Sequence, residues 1–97
     1  MTKIENKETS LFLTEDVKVK YSDLLAAIIN TPVKQGISLK EMREDLALLD
    51  KVENMKLASV GEFSDEDIAK IKTLTENHLW GVRHADFITF ADYIESL

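Results

Sequence analysis

Apolar residues recur at helical spacing in four stretches of the chain, and two of those stretches open with the same start signal. Ile37-Ser38-Leu39-Lys40-Glu41-Met42 and Phe63-Ser64-Asp65-Glu66-Asp67-Ile68 each place a serine whose hydroxyl can accept from the backbone N–H three residues on. Each also has an acid that can reach back and a flanking apolar pair that can close as a staple. The acid is glutamate in the first box and the shorter aspartate in the second, so the second is the weaker match. After Ser38, Leu39, Met42, Leu46, Leu49 and Val52 or Met55 step by three or four and predict one buried helix face. Lys40, Glu41, Arg43, Glu44, Asp45, Asp50, Lys51 and Glu53 then point outward. After Ser64, the spacing predicts a helix from Asp65 to about Leu79, with Ile68, Ile71, Leu74 or Thr75, and His78 or Leu79 on its inner side. Gly81 reads as a left-handed stop. A last helix restarts near Ala85 and aligns Phe87, Phe90 or Ala91, Ile94 and Leu97.

Between Leu11 and Asn30 two patterns compete. Val17, Tyr21, Leu24, Leu25 and Ile28 fit a helix, while Val17-Lys18-Val19-Lys20-Tyr21 alternates like a strand. The β-branched valines ahead of Ser22-Asp23 favour a short strand followed by a helix over about Asp23 to Ile29, capped at Ser22-Asp23 and stopped by Asn30-Thr31-Pro32. Leu57 to Glu62 alternates weakly and is expected to pair with Val17 to Val19 as an optional two-stranded ribbon resting on the helices. Residues 1–16 are expected to be a flexible N-terminal extension, since Met1 to Ser10 hold one large aliphatic residue, Ile4, beyond the first methionine. Residues 17–97 then form a single helical domain. The fold class is mainly α, a small four-helix domain with an optional short β-ribbon and an outline that also suits a winged helix.

At 97 residues there is room for one modest core. Apolar residues at 44% and charged residues at 31% fit a globular chain. A formal charge of −6 repels polyphosphate at long range and argues against nucleic acid as a partner. The absence of cysteine excludes disulfides, thiolate zinc sites and a cysteine nucleophile, and fits a reducing compartment. No apolar run approaches the roughly 20 residues that cross a bilayer, and the N-terminus lacks the basic-then-apolar order of a secretory signal. The expectation is a cytoplasmic protein with no membrane partner.

Chemistry is thinly supplied. Glu76, His78, His84 and Asp86 are four potential metal ligands on both sides of Trp80-Gly81, yet their spacing matches no metalloprotease step, and both histidines can cap helix ends instead. No serine sits in a Gly-x-Ser-x-Gly turn. Gly36, Gly61 and Gly81 lie too far apart for a phosphate-cradling loop. The reading is therefore no enzyme, no metal and no cofactor. Gly36-Ile37-Ser38-Leu39-Lys40-Glu41-Met42-Arg43 resembles a helix segment of MerR-like regulators, and a helix, a loop, this helix and a following ribbon outline a winged helix-turn-helix. That DNA-binding regulator is the alternative function. Against it, Glu41, Glu44 and Asp45 would meet phosphate beside Lys40 and Arg43. Of the aromatic residues Trp80, Phe87, Phe90 and Tyr93, most are needed to close the core, and Trp80 and Tyr93 are best able to keep a polar edge in water.

Val19-Lys20-Tyr21-Ser22-Asp23-Leu24-Leu25, Asn30-Thr31-Pro32, the Gly36 to Arg43 segment and Leu48-Leu49-Asp50-Lys51-Val52 together resemble small proteins encoded by tailed phages and prophages of proteobacteria. The similarity continues through Ser64-Asp65-Glu66-Asp67 and Trp80 into the terminal aromatic helix, and leaves out the extension before Val17. It implies a setting, that of a phage-derived accessory protein whose place would then be the host-cell cytoplasm, and no catalytic or binding residue. The expected function is a non-enzymatic protein–protein interaction module acting in virion assembly or host-factor modulation. Its expected partner is a host or phage protein, with a homodimer as the special case, and its expected contact residues are Glu41, Glu44, Asp45, Trp80 and Tyr93.

Overall fold

The computed structural model describes residues 1–31 and 35–97; Pro32, part of the expected helix stop, lies outside the described residues. The elements run β1 (Thr2–Glu5), β2 (Glu8–Phe12), β3 (Lys18–Lys20), α1 (Tyr21–Ile29), α2 (Leu39–Ala58), β4 (Val60–Phe63), α3 (Asp65–Asn77) and α4 (Ala85–Glu95). The protein is mainly α, with four helices and two antiparallel two-stranded ribbons among the described residues. No described helix is long and apolar enough to cross a membrane.

Local capping chemistry sets the helix starts. Ser64 Oγ accepts from the Asp67 N–H at 3.1 Å and the Asp67 carboxylate accepts from the Ser64 N–H at 3.1 Å, so the box with the shorter acid closes completely. Ser38 Oγ accepts from the Glu41 N–H at 3.2 Å without a return bond from the glutamate. Lys51 of α2 accounts for part of the difference, because its ammonium grips the Asp67 carboxylate and holds it in place. α1 begins earlier than expected. Asp23 serves as its third residue, accepting from the Lys20 N–H at 2.9 Å, and the cap moves from Ser22-Asp23 to Lys20. At the far end of α2 the left-handed cap is Ser59, at φ +63°, whose N–H returns to Met55 C=O at 3.0 Å. Gly81 does not play that role after α3, which stops at Asn77 with His78 in extended backbone. Met55 C=O gains a partner through Ser59, while the extended His78 leads the chain directly away toward α4.

Residues 1–16, expected as a flexible extension, contribute two strands. β1 pairs with β4 in the register Thr2↔Phe63 to Glu5↔Val60, and β2 pairs with β3 across a bulge between Glu8 and Phe12. The expected ribbon of Val17 to Val19 with Leu57 to Glu62 is thereby replaced by two ribbons, in which each segment takes a partner from the N-terminus. One aliphatic residue suffices because Ile4, opposite Gly61, is completely buried. Side chains of α4 complete the attachment: Tyr93 Oη accepts from the Glu5 N–H at 2.9 Å, and Asp86 accepts from the Ser10 N–H and hydroxyl at 2.7 and 2.6 Å.

The core gathers Leu24, Leu25 and Ile28 of α1, Leu48, Val52 and Met55 of α2, Ile68 and Ile71 of α3, and Phe90 and Ile94 of α4, with Ile4, Tyr21 and Phe63 closing one end. α2 departs most from expectation. The expected Val52 and Met55 are buried, but together with Leu48, while Leu39, Met42 and Leu46 are 67%, 40% and 55% exposed. At about 100° per residue these two sets lie on nearly opposite sides of the helix, so one core can take only one of them.

Candidate functional site

The N-terminal half of α2 extends past the packed core, and its apolar side chains are left over a groove bounded by the end of α1 and the second half of α3. The groove has a volume of about 990 Å³ and is lined on its apolar side by Ile28, Ile29, Ile37, Met42, Leu46, Leu49 and Leu74. Glu41, Glu44 and Asp45 line it as well, so three of the five expected contact residues come together here. Lys70 of α3 stands between two of them, 2.5 Å from Asp45 and 3.8 Å from Glu44, while Glu41 has no ion-pair partner among the described residues. The groove is thus apolar along α1 and α2 and negative at the α2–α3 margin.

Trp80 and Tyr93 lie elsewhere. Trp80 is half-buried, stacked on Phe87 at 4.3 Å with a 21° interplanar angle and met edge-on by His78 at 4.6 Å. With Val82, Arg83, His84 and Ile88 it borders a smaller depression of about 550 Å³. Tyr93 is half-buried and committed to contacts within the chain. Its hydroxyl holds the Glu5 N–H, its ring packs on Tyr21 at 5.6 Å, and the Lys7 ammonium lies 4.3 Å from its centroid.

The four potential metal ligands are spread over separate duties. His78 Nδ1 is 3.2 Å from Thr31 Oγ1, His84 Nδ1 accepts from the Asp86 N–H at 3.1 Å as the cap of α4, Asp86 holds Ser10, and Glu76 is exposed. Among the described residues no group of three or more His, Asp or Glu is placed to hold a metal ion. Hydrogen bonds from the Ser10 hydroxyl and then the Ser10 N–H keep the Asp86 carboxyl below its ordinary range. Burial, and then the negative charge of Asp86, push the Tyr21 phenol up. At Asp67 burial acts to raise the pKa, and is outweighed by hydrogen bonds from Lys51 and Ser64, so the carboxyl lies below its ordinary value.

Leu39, Met42 and Leu46 are the surface residues that the sequence pattern assigned to the core. A signal for them exists: Leu48, Val52 and Met55 form a second stripe at spacings of four and three, and a helix with two opposed stripes must leave one outside. The strand after α2 is closed by β1 of the N-terminus, not by a neighbouring hairpin strand of the kind a wing would supply. Comparison of the chain with family models, curated proteins and solved structures finds no match.

Proposed function

We propose that the chain is a non-enzymatic protein–protein interaction module, a phage-derived accessory protein acting in virion assembly or on a host factor, and that it recognises its partner through the outer face of α2. The observation that carries this reading is the row Leu39, Met42 and Leu46, three large apolar side chains left partly exposed along one helix face, the last two of which line an acid-edged groove. Scattered exposed leucines are ordinary, but a contiguous row on a folded helix is what an interface core requires. Full burial contributes about 1.5–3 kcal/mol for a large side chain, and because about half of each of these three is still exposed, covering them gives roughly 2–5 kcal/mol before the cost of association. The phage setting rests on the sequence resemblance after Lys18.

The test uses the full chain and a Leu39→Glu/Leu46→Glu variant as parallel baits in a proteobacterial host lysate, with and without phage infection. Both replaced side chains are exposed, so the variant retains its helical circular dichroism. The expected result is a host or phage protein retained by the native chain and lost by the variant. Identical retention by the two baits would remove α2 as the recognition surface.

A further inference from the structure

We propose that the occupant of the α2 face is a helix of another protein, apolar along one stripe and flanked by lysine or arginine; this deepens the recognition reading above and rests on it. Leu39, Met42, Leu46 and Leu49 advance by three, four and three residues, the spacing of alternating seam positions in a two-helix coiled coil, with the last of them half-buried against the core. The seam is short. Its next two positions are Glu53 and Lys56, so it ends after Leu49 and spans about 15 Å at 1.5 Å per residue, which three turns of a partner helix would cover. A groove beside the seam, floored by Ile28, Ile29 and Leu74, extends the apolar surface on the side where that helix would lie.

Charge selects the occupant. The residues flanking the seam are Asp45 on one side and Arg43 and Asp50 on the other. In a parallel pairing of two α2 copies, Asp45 of each would face Asp50 of its neighbour, and in an antiparallel pairing centred on the seam Asp45 would meet Asp45 and Arg43 would meet Arg43. The antiparallel arrangement sets Arg43 against Arg43, the parallel one leaves Asp50 facing a carboxylate that Lys70 already holds and so gains no ion pair, and the two chains carry −6 each. Asp45 is already held by Lys70, so basic flanks on a partner would instead meet Asp50 and, at the groove margin, Glu41, neither of which has an ion-pair partner among the described residues.

The experiment titrates the full chain, at physiological salt, with two synthetic helical peptides of three to four turns that carry leucine at the seam positions. One has lysine at the flanking positions and the other glutamate. Binding is followed by fluorescence anisotropy and by amide shifts, and repeated on Leu39→Glu/Leu46→Glu. The lysine peptide is expected to saturate, to bind at least tenfold tighter than the glutamate peptide, to shift amides of α2 and the end of α1, and to lose at least tenfold on the variant. The variant adds two negative charges, so an attraction that was only electrostatic would strengthen there. Equal affinity for the two peptides, or no saturable binding of the lysine peptide, would overturn the proposal. A concentration-dependent dimer in sedimentation that the variant abolishes would overturn it in favour of a second copy. If the peptides fail while the bait comparison still depends on Leu39 and Leu46, only the basic helix is wrong; if both fail, the α2 recognition reading falls with it.

Discussion

Replacing Gly61 with alanine tests how tightly the N-terminal ribbon is seated on the helices. A Cβ built on Gly61 falls 2.7 Å from the Phe63 ring edge at Cε2 and 3.1 Å from Met55 Sδ, where ordinary contact begins at 3.4 Å. Neither neighbour can swing aside into solvent, since Phe63 and Met55 are both completely buried. Overpacking of this kind costs about 1–3 kcal/mol. Alanine also narrows the unfolded ensemble, which offsets about 0.4–1 kcal/mol. The expected net loss is about 1–2 kcal/mol, or about 4–16 °C in Tm for a domain of this size. Thermal and urea unfolding followed by circular dichroism measure it. Phe63→Leu withdraws the ring edge, so in a double-mutant cycle the alanine should cost about 1 kcal/mol less in the leucine background. Native-like stability of Gly61→Ala, or strict additivity with Phe63→Leu, would refute the packing argument.

Leu48→Ala should cost about 2–5 kcal/mol while Leu46→Ala stays within about 0.5 kcal/mol, because the first is buried and the second 55% exposed; equal losses in urea midpoints would place the wrong stripe of α2 in the core. Thr75 is buried with its hydroxyl unpartnered, so Thr75→Val, which keeps the shape and removes the polar atom, should stabilise the protein by about 1 kcal/mol, read from the same midpoints. The Asp67 carboxyl is held below its ordinary value in the folded chain, so its contribution is full above about pH 4, where the unfolded chain ionises, and is lost as pH falls through the lower folded value. Asp67→Asn should therefore be less stable than the native chain at pH 7, and the gap should shrink in urea midpoints taken below about pH 4.

What could be read in advance follows the range of the interactions. Helix starts at Ser38, Ser64 and near Ala85 were legible because a cap is settled by residues three apart. Strand partners were not, since the choice of Val60–Phe63 for Thr2–Glu5 is made by Ile4 finding a slot at Gly61 and by Tyr93, 88 residues from its Glu5 contact. The outward stripe of α2 was misplaced for a related reason: periodicity shows that a face is apolar, and only the positions of α1 and α3 decide which apolar face is covered. Glu41, Glu44 and Asp45 were legible as surface acids. That they border an apolar groove was not, because part of its lining, including Ile28, Ile29 and Leu74, comes from other helices.

The β1–β4 ribbon also sets an order of assembly on the ribosome. Glu5 pairs with Val60 and Thr2 with Phe63, so 55 to 61 residues separate the partners, which takes about 3–12 s to translate at roughly 5–20 residues per second. For that interval the opening strand travels without its mate, and the berth that Ile4 will fill does not yet exist. A nascent chain stalled before Val60 would therefore display an unmatched strand edge to chaperones and to its neighbours on the same message.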